Sequence, residues 1–495
     1  MHLGSDLCDK AQYVKPASAP SCNPVNWGLP PAAVRALEFG LRAFHDRYAA
    51  FYRTKTRDTS ACGLRYLAAL LRLESDRNFT RIDRLAEQDG QPMQHFMSNS
   101  PWSARALLRQ VRHEVAQRPE FAAGGWLLLD ESADEKASDH SIGAGRQYNG
   151  RLGKVEMSQT GVFLAFSTGR EWLWVEGELF LPEAWFAAGK AQLRKRLGLP
   201  PEREFATKIK LGWEMVERVA AEGELKIKGV ACDTLYGRSV WLRRQLATKG
   251  LPYMAEVPVS TEVYLSEPTV AWRGRKQQQQ VVSGAQAREV RELGEAEMGA
   301  WERLRVRPTE RGYLADEFRA LRVWTLGKEE TAAQEEWLVA RREEEGRVSY
   351  ALSNAGVEAS LGELAGMKCE RHFIECSNQE AKSELGWDEL RAQKYPAWEH
   401  HLGLVILAQW YICETRLEWA RQYPVREELV AELGVARAEL PRLSVRNVRE
   451  LLRAALPLPA VSMEAAAALV AQHLLHRVRV RRSEMKKRGH AATPT

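Results

Sequence analysis

Two short stretches decide how this chain is read: Trp126-Leu127-Leu128-Leu129-Asp130 and Ile227-Lys228-Gly229-Val230-Ala231-Cys232-Asp233. Each is a mainly apolar run closed by an acid, the pattern of a strand buried on both faces. Around them lie two further strand-like runs, 160–167 and 172–181, helical patterns at 183–197 and 207–222, a helix at 240–247 and a strand at 253–258. The series β-β-β-α-β-α-β predicts an α/β fold with a mixed sheet. Acids at the ends of strands in such a sheet face a common crevice. A single aspartate there reads as a cap of the following turn, whereas two in one sheet invite a shared role.

Outward from this core the texture changes. Residues 1–30 form a leader with Pro16, Pro20, Pro24 and Pro30, and 31–120 carry helical periodicity (Val34, Leu37, Leu41, Phe44). Residues 121–258 hold the first part of the core. Residues 259–350 read as a β-rich insertion, with strands at 304–307, 321–324, 336–341 and 347–352 and an exposed loop at Lys276 and the glutamines 277–280. Helices return in 351–422, the second part of the core, and 423–495 add helices and a basic tail. One predicted helix spans 371–385. Another runs from Pro396 to about Trp419, and its apolar stretch 402–413, at about 12 residues, is shorter than the roughly 20 of a membrane span.

The net charge of +6 hides a division. Residues 477–490 alone carry +6, residues 34–120 carry +5, and the centre, 121–476, carries −5. Basic arms flank an acidic middle, the distribution expected of a protein that holds nucleic acid around a cation-binding centre. Seven dispersed cysteines without a CxxC pair argue against a disulfide scaffold and for a reducing, cytoplasmic setting. The N-terminus lacks the basic and apolar regions of a secretory signal.

A third acid sits in Arg371-His-Phe-Ile-Glu375-Cys-Ser-Asn-Gln-Glu-Ala-Lys382. At about 100° per residue, Arg371, Glu375 and Lys382 share one narrow helix face. The bland reading is a solvated face with an i,i+4 ion pair. Three converging carboxylates would instead call for two divalent cations, about 4 Å apart, clamping a phosphodiester. Oxygen ligands suit Mg²⁺ or Mn²⁺, and Arg371 and Lys382 would meet neighbouring phosphates.

In these segments, taken in order, the chain resembles bacterial insertion-sequence transposases of the DDE type: LLLDES (127–132) with Lys136, the loop segment 140–162, FATK (205–208), VACDTLYG (230–237), RHFIECSNQEAK (371–382) and 395–411. The resemblance implies an RNase H-like catalytic core with a β-rich insertion. It implies Asp130, Asp233 and Glu375 as the metal-binding and catalytic triad. It also implies cleavage at inverted-repeat ends, joining of the 3′-hydroxyl to target DNA, a DNA hairpin in relatives, and a homodimer in the DNA complex. One departure stands out: where the family commonly has tyrosine three residues before the arginine, this chain has Lys368, which keeps charge for a phosphate and loses stacking.

Further candidates for DNA contact are Lys208, Tyr236, Arg146, Lys154, Arg53, Lys55 and Arg57, and Trp301 as a base-stacking residue, against ordinary turn, surface and sheet-packing roles for the same positions. The tail from Arg477 to Arg488 reads as a DNA arm or a solvated end. His400 and His401 lack the spaced partners of a zinc site. A nucleic-acid enzyme of the nucleoid is the expectation. A non-catalytic DNA-binding protein on the same fold and an RNase H-like nuclease without strand transfer are the rivals. No GxSxG, P-loop or GxGxxG precedes a helix, which argues against unrelated hydrolase classes.

Overall fold

The computed structural model describes residues 23–84, 91–149, 153–273, 278–309, 312–328, 330, 332–434, 436–437, 440 and 442–456. The leader to residue 22 and the Arg477–Arg488 tail lie outside them.

Five helices open the chain: α1 (Pro31–Asp46), α2 (Ser60–Arg72), α3 (Phe79–Arg84), α4 (Gln91–Ser98) and α5 (Ala104–Ala116). The expected start after Pro101-Trp102-Ser103 is realised by the Ser103 hydroxyl, which caps α5 by accepting from the Ala106 N–H at 3.2 Å. The core follows with β1 (Gly125–Glu135), β2 (Gly145–Asn149), β3 (Lys154–Ser167), β4 (Trp172–Phe180), α6 (Ala191–Arg196), α7 (Lys208–Glu222), β5 (Ile227–Cys232), α8 (Thr234–Gly237), α9 (Val240–Thr248) and β6 (Tyr253–Val257). The insertion contributes β7 (Glu262–Val263), β8 (Val270–Arg273), β9 (Gln278–Val281), β10 (Arg288–Glu289), α10 (Glu295–Met298), β11 (Glu302–Thr309), β12 (Gly312–Thr325), β13 (Gln334–Arg342) and β14 (Val348–Ser353). Five helices close the described chain: α11 (Leu361–Cys369), α12 (His372–Ser383), α13 (Tyr395–Gln422), α14 (Glu427–Leu433) and α15 (Val445–Ala455).

Strands β4, β3, β1, β5 and β6 lie side by side in that order; β1 is antiparallel to β3 and parallel to β5, and β5 is parallel to β6. This is the mixed sheet expected of an RNase H-like core. The insertion does not stand apart from it. Its meander β11-β12-β13-β14 joins the core at β6, with Tyr350 opposite Val257, to make one 10-stranded sheet. Without β14, β6 would be an exposed edge with unpaired backbone groups.

The N-terminal helices have no separate core. Leu37, Leu41, Leu70 and Leu108 belong to the same buried cluster as Leu128, Val230 and Leu407. Its axis is α13, a 28-residue helix buried on all sides through residues 402–413. A helix apolar around its whole circumference belongs in an interior.

Four local expectations are corrected. The polar loop at 140–153 contains β2, which pairs with the first half of β3; glycine-rich composition masks a strand whose partners are tertiary. The helix over 183–197 is two short 3-10 turns followed by α6. The glutamine tract is not a loop where it is described: β9 pairs with β8, while Lys276 and Gln277 lie outside the described residues. The helix over 371–385 begins at His372, with Arg371 as its N-cap residue.

Candidate active site

Leu129 lies opposite Cys232 in the parallel β1–β5 pair, so Asp130 and Asp233 come to the same level. Asp233 follows the last residue of β5, but Asp130 stands inside β1, opposite Phe163 of β3, which corrects the expectation that the first strand ends at this acid. Asp233 is also the cap of α8, its Oδ1 accepting from the N–H groups of Leu235 at 3.0 Å and Tyr236 at 3.4 Å. Capping and convergence thus coexist in one side chain. Asp130 Oδ1 accepts from the Glu131 N–H at 2.8 Å, and Oδ2 accepts from Asn378 Nδ2 at 3.3 Å. One carboxylate oxygen each from Asp130, Glu131 and Asp233 lie within 4.8 Å of one another.

The cluster is electrostatically uncomfortable as three bare carboxylates. Burial, then the charges of Asp233 and Glu131, push the Asp130 carboxyl well above the usual range, with Arg371 opposing. Burial and then Glu131 raise Asp233 to about 6. Glu131 Oε1 pairs with Lys208 Nζ at 3.2 Å, while Oε2 is buried without a hydrogen-bond partner. A close set of hard oxygen donors with one unused buried oxygen fits a divalent cation such as Mg²⁺ or Mn²⁺.

Glu375 is not one of the three. Its half-exposed carboxylate forms an i,i+4 ion pair with Arg371 Nη2 at 2.6 Å. Arg371 Nε in turn lies 3.3 Å from Glu256 Oε2 on β6. Burial works against the Arg371 charge, but Glu256, Glu375, Asp130 and Asp233 outweigh it and push its pKa up. The guanidinium therefore serves both Glu375 and the two aspartates.

Several candidates for DNA contact are engaged elsewhere. Lys368 is 2% exposed, 3.5 Å from Glu256 Oε1, and its Nζ makes no hydrogen bond. Burial lowers its pKa. The residue that departs from the family pattern presents nothing to a phosphate, which corrects the expectation that it keeps charge for one. Tyr236 is fully buried, and its phenol is pushed up by burial and by Glu131, Asp130 and Asp233. A Cβ on Gly237 would meet the Glu256 carbonyl oxygen at 1.9 Å, so this glycine is set by close packing of α8 on β6. Tyr236-Gly237 is a packed turn under the acids, not a DNA-facing surface. Lys382 donates to the Ala133 carbonyl at 3.0 Å and pairs with Asp134 at 3.1 Å, fastening α12 to β1. Trp301 carries the guanidinium groups of Arg319 and Arg342 4.3 and 4.6 Å from its ring centre and packs on the insertion's apolar cluster, so its ring is already engaged in cation–π contacts.

Arg146, Lys154, Arg53, Lys55 and Arg57 are exposed. Lys154 pairs with Glu156 at 2.6 Å and Arg53 with Asp58 at 3.0 Å. His400 and His401 pack inside. His400 faces the carbonyls of Met97 and Trp102, and His401 faces the Tyr66 hydroxyl and the Trp387 carbonyl.

Sequence reading missed Glu131, Glu256 and Asn378. Asn378 follows Arg371 by seven residues, which puts it on the same helix face as Glu375 and Lys382; that spacing was a usable signal. Glu256 had none, because its partners arrive from α11 and α12.

The family model described as DDE superfamily endonuclease matches residues 48–312, more than half of the chain. The chain belongs to the DDE superfamily of endonucleases. The match takes in Asp130 and Asp233 and ends before Glu375. The resemblance to DDE-type transposases read from the sequence is borne out at this level. Among curated proteins, none matches this endonuclease. Among solved structures, it is similar to the piggyBac transposase in a synaptic complex with hairpin DNA, at 12% identity over 92% of this chain and 85% of that one, with a TM-score of 0.32. A superposition that loose carries no argument. Among the described residues, no helix of the endonuclease is long and apolar enough to cross a membrane.

Proposed function

We propose that this DDE endonuclease is a transposase that binds the inverted ends of its own element, hydrolyses the phosphodiester there and joins the freed 3′-hydroxyl to target DNA. The observation that carries the reading is the placing of Asp130, midway along β1, level with Asp233, just past the end of the neighbouring β5, with Glu131 beside them. Asp130, Asp233 and Glu375 are the proposed ligands of two Mg²⁺ or Mn²⁺ ions. When bound, such ions activate the attacking oxygen and stabilise the leaving one.

The chain's own residues supply the rest. Asp130 and Asp233 would hold the ions as carboxylates, the deprotonated form that metal binding favours. Arg371 is shared between Glu375 and the aspartates; with Glu375 engaged as a ligand, its guanidinium would be free to hold a DNA phosphate. Lys382 keeps α12 seated on β1. DNA ends are gripped by residues 31–120 and the insertion, with Arg53, Lys55, Arg57, Arg146 and Lys154 as exposed cations, and two chains act on two ends. Association with the nucleoid, where its DNA lies, is part of the same proposal.

The test is product analysis on DNA carrying the inverted repeats that flank the reading frame. Strands joined to target DNA in Mg²⁺ are expected, and cleavage without joining would reduce the reading to a nuclease. Asp130→Ala should abolish cleavage and keep end binding; unimpaired cleavage would remove the metal site.

A further inference from the structure

Asn378 sits between two partners of fixed chemistry. The Trp174 indole N–H can only donate, and it donates to Asn378 Oδ1 at 2.9 Å. Trp174 is itself fully buried and stacked on Phe163, with ring centres 4.1 Å apart. The amide of Asn378 therefore cannot turn over without placing its NH₂ against an N–H. Its Nδ2 is left to face Asp130 Oδ2, a carboxylate oxygen that accepts, at 3.3 Å. The other oxygen, Oδ1, is already fixed by the Glu131 N–H. One oxygen is thus held by the strand backbone and the other by a side-chain donor whose own orientation is set from the core.

We infer that Asn378 is a positioning residue: locked by Trp174, it orients the Asp130 carboxylate toward the cation site. This rests on Asp130 being a metal ligand, as proposed above. Groups that hold a ligand's second atom restrict its rotation and are worth about 10–100-fold in metal affinity when removed.

The experiment is Mn²⁺ titration of the full chain, followed by electron paramagnetic resonance of free Mn²⁺, with thermal unfolding in the absence of metal run in parallel. Asn378→Ala is expected to weaken Mn²⁺ binding by about tenfold or more. Trp174→Phe, which leaves the asparagine but frees its amide to flip, should weaken it by a smaller factor. Asn378→Ala alone orphans a buried indole N–H, a destabilising loss. The double variant removes donor and acceptor together and should regain unfolding temperature while keeping the full loss of Mn²⁺ affinity. A purely structural role would restore both. Asp130→Ala separates the two levels. If it abolishes Mn²⁺ binding while Asn378→Ala and the double variant bind like wild type, the positioning role is overturned and the metal reading stands. If Asp130→Ala binds Mn²⁺ as wild type does, both fall.

Discussion

Replacing Lys368 with methionine should stabilise this protein at neutral pH. The ammonium is wholly buried, 3.5 Å from Glu256, and makes no hydrogen bond. A buried donor left without a hydrogen bond costs about 1–3 kcal/mol. Glu256 does not lose its only partner in the exchange, because Arg371 lies 3.3 Å away. The usual penalty for breaking a buried pair, an uncompensated charge on the survivor, is therefore small here. Lys→Met conserves the length of the stem, so no large cavity opens. A gain of about 1–2 kcal/mol is expected at pH 7, from the unmade hydrogen bond less the lost weak attraction to Glu256. The pH dependence gives a second check. Burial lowers the Lys368 pKa, so between that lowered value and the ordinary lysine pKa near 10.4 the unfolded chain holds more protons than the folded one. Wild-type stability then rises with pH in that window, and the advantage of Lys368→Met should shrink as pH approaches 10. Urea denaturation at pH 7 and pH 9.5, monitored by the intrinsic tryptophan signal, reads both effects. A loss of more than about 1 kcal/mol at pH 7, the scale of an intact favourable ion pair, would refute the reasoning, as would an advantage that grows with pH.

Three further outcomes follow from the geometry. Arg243 is buried, its Nε 2.9 Å from the fully buried Glu336 of β13; Arg243→Met should cost about 3–5 kcal/mol by stranding that carboxylate, measured by chemical denaturation, and a cost below about 1 kcal/mol would show the pair to be dispensable. His401 is buried and its pKa is lowered to about 3. The unfolded chain takes up the proton first, so stability is lost as pH falls from about 6.5 toward 3, at up to about 1.4 kcal/mol per pH unit from this residue; His401→Gln should flatten the acid limb, and an unchanged limb would contradict it. The raised Asp130 and Asp233 bind protons in the folded state above the usual carboxylate range, so stability without metal falls as pH rises through the window ending near 6 for Asp233. Mg²⁺ should therefore raise the unfolding temperature more at pH 8 than at pH 5, and an equal shift at both would speak against binding at these acids.

The core was legible where burial on both faces wrote a continuous apolar run. The stretch 227–232 is β5 to the residue, and 126–129 fall in the continuously buried start of β1. The strand then continues to Glu135 through Glu131-Ser132-Ala133-Asp134-Glu135, polar and small residues with no apolar run, which read as loop until β3 is known to pair with them. The same holds for β2. The two aspartates were legible because each closes a buried apolar run, although only Asp233 stands at a strand end and Asp130 lies within β1. Lys368 was misread because nothing local tells a phosphate-facing lysine from one folded under β6. Glu375 was legible as a member of the right helix face, and its present pairing with Arg371 is the i,i+4 ion pair that the spacing offered; the further pull of Glu256, Asp130 and Asp233 on Arg371 comes from other elements, which no spacing encodes.

The central claim is that Asp130, Asp233 and Glu375 hold the cations that cleave DNA. Anomalous diffraction from crystals of the full chain with Mn²⁺ and end DNA tests it most directly. Two peaks about 4 Å apart, bounded by Asp130, Asp233 and a Glu375 turned away from Arg371, are the predicted result. Mn²⁺ held by Asp130, Glu131 and Asp233 with Glu375 still paired to Arg371, or no peak at all, would contradict it.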